Sequence, residues 1–265
     1  MSVYQELPKF AERLLQPCPF CGMKQPLYIR AIHMQRPEDS YDVEKLIHPD
    51  LGYSFCNCKN IWYTNWSNIW QNVYDSGYEK KHTDEMYRVL AHKFLSNQAK
   101  KLFPDEKIIG KKFLDLGSIS PYILDNAQEF GFETIGWDIF SHKDFGHRLI
   151  IGDFEKTPIS ETFDIIWASH IFEHFEKPLD ALIKCFDLLN PNGRLFIAMP
   201  DVFFIDWANV YTWMNWHVRE HHIFWDMESF CDEARKIGFE ILQMKRNINY
   251  DVHVSGDMHL IFRKP

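Results

Sequence analysis

From residue 111 onward, short apolar runs alternate with amphipathic stretches, which predicts strands joined by crossover helices and therefore an α/β fold built on a mostly parallel sheet. Lys112-Phe113-Leu114-Asp115-Leu116-Gly117 reads as a strand opening into a turn, and Pro121 suits the first turn of a following helix. Thr134-Ile135-Gly136-Trp137-Asp138 is a second strand ending in a carboxylate, and runs at 149–153 and 163–168 are the third and fourth. A helix from about Pro178 carries Leu179, Leu182, Ile183, Phe186 and Leu189 on one face, and Asn190-Pro191-Asn192-Gly193 ends it. A fifth strand follows at 194–199. The helix over 228–237 stops at Gly238, as a glycine just past a helix end would. Two late strands, near 239–246 and 257–263, are close enough to pair antiparallel.

Upstream, residues 83–103 read as a helix, with Met86, Val89, Leu90, Phe94 and Leu102 near a 3.6 period, Thr83 or Asp84 as cap, and Pro104 as stop. Before it the periodicity is lost and cysteines take over. Cys18-Pro-Phe-Cys21-Gly22 and Cys56-Asn-Cys58 are two tight pairs separated by 34 residues. A tight turn lets two thiolates converge on one tetrahedral ion, and a second pair from a distant hairpin would close a four-sulfur structural zinc site. Such a metal supplies stability that a module of about 60 residues struggles to obtain from burial. Against this stands a reading as four buried or incidental thiols, since the second pair has one intervening residue where ribbons usually have two. Cys185 and Cys231 fall at apolar helix positions and are expected in the core. The expected organisation is a zinc-ribbon module over 1–80, a linking helix over 81–109 and the α/β domain over 110–265. The aromatic tract Ile61-Trp62-Tyr63 through Trp70, with Tyr74 and Tyr78, fits a seam between module and domain better than a base-stacking surface.

Composition narrows the function. With 29 Lys+Arg against 37 Asp+Glu the net charge is −8, so nucleic acid is an improbable main partner. A content of 46% apolar and 16% aromatic residues argues against disorder. No apolar run reaches the roughly 18 residues a membrane-spanning helix requires. The start, MSVYQELPKFAERLLQP, is interrupted by Pro8 and charges before any signal-like apolar stretch develops, so a cytoplasmic protein is expected. The oligomeric state is not legible.

In an open α/β sheet a ligand lies beyond the carboxyl ends of the strands. Gly117 lets backbone approach a ligand there, and Asp138, 23 residues beyond Asp115, can accept both hydroxyls of a ribose. The segments FLDLGS, GWD, GDF, FDIIWASHIFEHFEKP, LLNPNGRLFIAMPD and ARKIGFEI, in that order, resemble the class I S-adenosylmethionine-dependent methyltransferases over about 110–265. The resemblance looks closest to a bacterial branch that prefixes a CPxCG zinc ribbon and methylates sugars or other small intermediates of surface-polysaccharide and secondary metabolism. It implies a Rossmann-like, mostly parallel seven-stranded sheet with helices on both faces. By position it implies that Asp115, Gly117 and Ser118 line the methionine part of the cofactor, that Asp138 holds the ribose between Trp137 and Ile139, and that Asp153 and Phe154 meet the adenine. Ser169 and His170 would face the sulfonium and the acceptor. The family loop generally has further glycines where this chain has Ile119 and Pro121.

Methyl transfer from a sulfonium needs alignment and at most the removal of a proton. The stretch 207–225, where the family builds its acceptor lid, offers aromatic walls including Tyr211 and Trp213, the histidines His217, His221 and His222, and Arg219 for a carboxylate or phosphate. His221 or His222 is favoured as base over His217 and His170. The string His170-Ile171-Phe172-Glu173-His174 also spells an inverted zinc-protease pattern, but it stands where the family has its own loop after the fourth strand. An adenine-directed nucleic-acid enzyme would carry an Asn/Asp-Pro-Pro-aromatic loop where this chain has Ala168-Ser169-His170-Ile171, and no G-x-G-x-x-G supports nicotinamide. A non-catalytic binding module is a further alternative. The expected function is O-methylation of a small sugar, nucleotide-sugar or phosphorylated intermediate.

Overall fold

The computed structural model describes residues 27–30, 52–55, 60–63, 108–140, 146–205, 221, 223–247 and 256–265. The expected helix at 83–103 lies outside them. The chain divides into two compact units, residues 74–199 with 231–265, and residues 1–73 with 200–230.

The first of these units holds the α/β core. Strands β4 (Lys112–Leu116), β5 (Glu133–Asp138), β6 (Arg148–Ile151), β7 (Phe163–Ser169), β8 (Leu189–Pro200), β10 (Glu240–Asn247) and β11 (Asp257–Arg263) form one seven-stranded sheet in the order β10-β11-β8-β7-β4-β5-β6. The pairs β4/β5, β4/β7, β5/β6 and β7/β8 are parallel, and β10/β11 is antiparallel, as the pattern predicted. Phe163, Ile165, Ile166, Trp167 and Ala168 of central β7 are all fully buried, because a parallel strand in mid-sheet has both faces covered. Trp167 stacks on Phe196 of β8 at 3.9 Å, and Phe113, Phe132, Leu124 and Ile261 complete the cluster.

Helices α1 (Tyr122–Glu129) and α2 (Pro178–Leu188) begin beside prolines, where the missing N–H costs nothing. α2 buries Pro178, Ala181, Leu182, Cys185 and Leu188, whereas Ile183 is largely exposed and Leu179 and Phe186 are half-buried. Its buried stripe is therefore rotated from the expected one: small Ala181 and Cys185 allow close packing on that side. Cys185 and Cys231 are both buried, as expected, and neither forms a disulfide. Burial pushes the Cys185 thiol far above its usual range. The Asn-Pro-Asn-Gly segment is an irregularity in β8: the partner of Phe163 is Leu189, but that of Ile165 is already Arg194, and Asn192 between them adopts φ 62°. α3 (Met227–Ile237) ends at Gly238 with φ 113°, whose amide donates to the carbonyls of Ala234 and Arg235.

In the other unit, β1 (Leu27–Arg30), β2 (Gly52–Phe55), β3 (Ile61–Tyr63) and β9 (Ile223–Phe224) form an antiparallel sheet in that order. The last pairing, Ile61 with Phe224 and Trp62 with Ile223, joins the N-terminal strands to chain just over 160 residues away and was not predicted. Asp226 caps α3, accepting from the Ser229 amide at 3.2 Å. Among the described residues no helix is long and apolar enough to cross a membrane.

Candidate cofactor and transfer site

The carboxyl ends of β4, β5, β6 and β7 lie side by side, and the residues expected to bind a nucleoside cofactor follow them in order. Asp115 of β4 is 5% exposed and sits opposite Gly136 and Trp167 on its two neighbouring strands. Burial pushes its carboxyl up to about 7, opposed by the Ser118 hydroxyl and reinforced by the nearby Asp138. Gly117, at φ 83°, turns the chain in a conformation other residues strain to adopt, and a side chain there would meet Ile171 Cδ1 at 3.0 Å. The amides of Gly117 and Ser118 both donate to the Trp137 carbonyl, at 2.9 and 3.0 Å, and that of Ile119 donates to the Gly117 carbonyl at 2.9 Å. The amides of Gly117, Ser118 and Ile119 are thus engaged by the turn itself.

Asp138 ends β5 and accepts from the Phe140 amide at 2.9 Å, while its own carbonyl accepts from Gly152 at 2.9 Å, tying the tips of β5 and β6 together. Ile139 beside it is about half exposed, but Trp137 is buried: its indole N–H donates to the Gly152 carbonyl at 2.7 Å and its ring meets Phe154 edge-on at 4.9 Å. Trp137 is thus held inside the core, next to Asp138 in the chain. Asp153 holds its own turn, accepting from the Glu155 amide at 2.9 Å and the Lys156 ammonium at 2.7 Å. Phe154 is buried, with Phe175 at 5.7 Å. Lys184 of α2 fixes this corner: its ammonium donates to the carbonyls of Phe154 and Thr157, both at 2.5 Å, over the rings of Trp137 and Phe154 at 5.0 and 4.7 Å.

Ser169 closes β7 opposite Ala198. His170 adopts φ 52°, its amide donating to the Ala198 carbonyl at 2.8 Å. Its ring stands between two fully buried carboxylates, with Nδ1 3.3 Å from Glu173 and Nε2 3.2 Å from Asp257 at the start of β11. Burial opposes the charged ring, yet Asp257 and Glu173 outweigh it and hold the imidazole well above its ordinary value. For Glu173 burial is likewise outweighed, by His170 and His174, which keep it below the usual carboxylate range. An imidazolium with a carboxylate at each nitrogen suits a fixed cation better than a base. Asp257, Lys184 and Gly136 escaped sequence reasoning; the only signal for the first was an acid opening the last strand.

His221 is buried with its ring edge-on to Phe224 at 5.6 Å. His217, His222, Arg219, Tyr211, Trp213 and the cysteines Cys18, Cys21, Cys56 and Cys58 lie outside the described residues.

Comparison with known proteins gives a coherent answer. Among curated proteins, none matches this sequence. The family model of the methyltransferase domain matches residues 85–244, more than half of the chain. A proposed sarcosine dimethylglycine methyltransferase from Galdieria sulphuraria is similar in structure at 15% identity, covering 72% of this chain and 90% of that one, with a TM-score of 0.56. A complex between the Haloferax volcanii Trm112 methyltransferase activator and a proposed methyltransferase contributes a match at 15% identity, covering 73% of this chain and 100% of that one, with a TM-score of 0.53. The plantazolicin methyltransferase BamL, solved with S-adenosylhomocysteine and a substrate analogue, matches at 16% identity over 71% of this chain and 88% of its own, with a TM-score of 0.50. These likenesses show the fold. With acids on neighbouring strand tips, a left-handed glycine after β4 and a family match spanning β4 to β10, the chain belongs to the methyltransferase-domain family and is a class I, S-adenosylmethionine-dependent methyltransferase.

Proposed function

We propose that this methyltransferase transfers a methyl group to a hydroxyl of a small molecule, a sugar, nucleotide-sugar or phosphorylated intermediate. The carrying observation is the pair Asp115 and Asp138 at the tips of adjacent parallel strands, close enough for one charge to raise the other's pKa. Asp115 fits a cationic ligand: a buried acid driven toward neutrality by desolvation is returned to its anionic form by an ammonium or sulfonium. S-adenosylmethionine supplies a methyl group already activated on sulfur. Asp115, Gly117 and Ser118 would hold its amino-acid end, Asp138 beside Ile139 its ribose, and Asp153 and Phe154 its adenine. Ser169 and the fixed charge of His170 would border the reacting end, with the proton taken by His221 or His222 and an acceptor anion held by Arg219.

A small acceptor is supported by the net charge of −8, which repels a phosphate backbone, and by relatives named for small substrates, sarcosine and dimethylglycine in one case and plantazolicin in another. The zinc reading draws support from register. Leu27 at the start of β1 pairs with Phe55 at the end of β2, so the segments bearing Cys18 with Cys21 and Cys56 with Cys58 join the sheet at the same end. The test of function is incubation with radiolabelled S-adenosylmethionine and a panel of nucleotide-sugars and sugar phosphates. Labelled small product is expected, and label transferred to RNA alone would overturn the reading.

A further inference from the structure

On the reading that Asp153 and Phe154 meet the adenine of the cofactor, we propose that Lys184 and Glu155 clamp the turn after β6 and thereby make it selective for that base. Lys184 is the positioning residue, acting through Asp153 and Phe154. Three observations within the unit of residues 74–199 and 231–265 carry this.

First, the turn is tight and closed on itself. The Asp153 carbonyl accepts from the Lys156 and Thr157 amides at 3.1 and 2.8 Å, and at Gly152, with φ 143°, Thr157 leaves no room for a side chain. Asp153 and Phe154 therefore move only with the whole turn. Second, α2 grips that turn at two places with opposite charges. The Glu155 carboxylate accepts from the Glu176 amide at 3.0 Å and from the Lys177 amide, at the start of α2, where unpaired N–H groups favour an anion. About two helical turns further along, the Lys184 ammonium donates back to the carbonyls of Phe154 and Thr157, both at 2.5 Å. Third, that ammonium lies 5.0 and 4.7 Å from the centres of the Trp137 and Phe154 rings. A cation placed against two rings keeps its hydrogen-bond acceptors, because giving them up there costs more than it would in open water. α2 has its own hold on the sheet through buried Pro178, Ala181, Leu182, Cys185 and Leu188. The polar links are thus not needed to seat the helix, and what they fix is the turn. A carboxylate discriminates between bases only if it cannot retreat. Held in place, Asp153 accepts from the exocyclic amine of adenine and repels the carbonyl oxygen that hypoxanthine presents at the same position.

The test is calorimetric titration of wild type, Lys184→Met and Lys184→Arg with S-adenosylhomocysteine and with S-inosylhomocysteine, whose base carries the carbonyl in place of the amine. Wild type should prefer S-adenosylhomocysteine by about a hundredfold, and Lys184→Met should reduce that preference to about tenfold or less, with Lys184→Arg in between because it keeps charge and donors. A residue that served stability alone would weaken both ligands equally and leave the ratio as it was. Should Lys184→Met fail to fold, Glu155→Gln, which weakens the bond to the start of α2, must lower the ratio in the same direction at smaller amplitude. An unchanged ratio in the folded variants would overturn the proposal. Equal binding of both ligands by the wild type would overturn it together with the adenine role of Asp153, while leaving the cofactor site standing. Failure of the wild type to bind either ligand would instead remove the cofactor reading itself, and the clamp's selectivity with it.

Discussion

Asp115 shows how one residue can trade stability for binding. Its carboxyl, ordinarily near 3.8, rises to about 7 in the fold. The folded protein therefore holds a proton that the unfolded chain releases, so stability is greatest below the ordinary value and falls as pH rises from there toward neutrality. Asp115→Asn should make the cofactor-free protein more resistant to urea near about pH 8, by up to about 4 kcal/mol, with the advantage shrinking toward about pH 4. The same variant should bind S-adenosylmethionine more weakly, because an amide cannot answer a cation. The placement of Asp115 and Asp138 at the ends of neighbouring strands was legible in the sequence, because short apolar runs close on each of them. The burial of Trp137 was not, because an aromatic next to an acid reads equally as wall or as support. Nor was the fixed charge on His170, which depends on Asp257 arriving from the last strand.

Elements position these residues through close packing of small side chains. Gly136 of β5 has an ordinary backbone conformation, yet a Cβ there would meet Leu149 Cδ2 at 2.5 Å and Ser118 Oγ and Cβ at 2.8 and 2.9 Å. Gly136→Ala should therefore cost about 1–3 kcal/mol by overpacking and displace the turn after β4, measurable as a lower unfolding midpoint and weaker cofactor binding together. The positions of the strands along the chain and the antiparallel final pair followed from runs of Ile, Leu and Phe between turn residues. The rotated face of α2 did not, because a helix apolar around most of its girth leaves the choice to whichever side packs closest, here Ala181 and Cys185. β9 was invisible for a similar reason: Ile223-Phe224-Trp225 is too short an apolar run to be told from a loop until its partner in β3 is known.

For the whole molecule, a linear reading can set a boundary near residue 80 but has no means of showing that strands within 27–63 share a compact unit with residues 200–230. Pairing across that separation is governed by tertiary contacts alone. If the four paired cysteines bind metal as proposed, purified protein should carry one zinc per chain by elemental analysis, and Cys56→Ser should release it and lower the melting temperature. The net charge of −8 predicts little affinity for RNA at any ordinary salt concentration. The most direct measurement is calorimetric titration of S-adenosylhomocysteine into the wild-type chain and into Asp138→Ala. Binding at one site per chain, weakened about tenfold to a hundredfold by the substitution, is the predicted result. No heat at millimolar ligand, or equal affinity in the two proteins, would contradict a cofactor held by the acids at the strand tips.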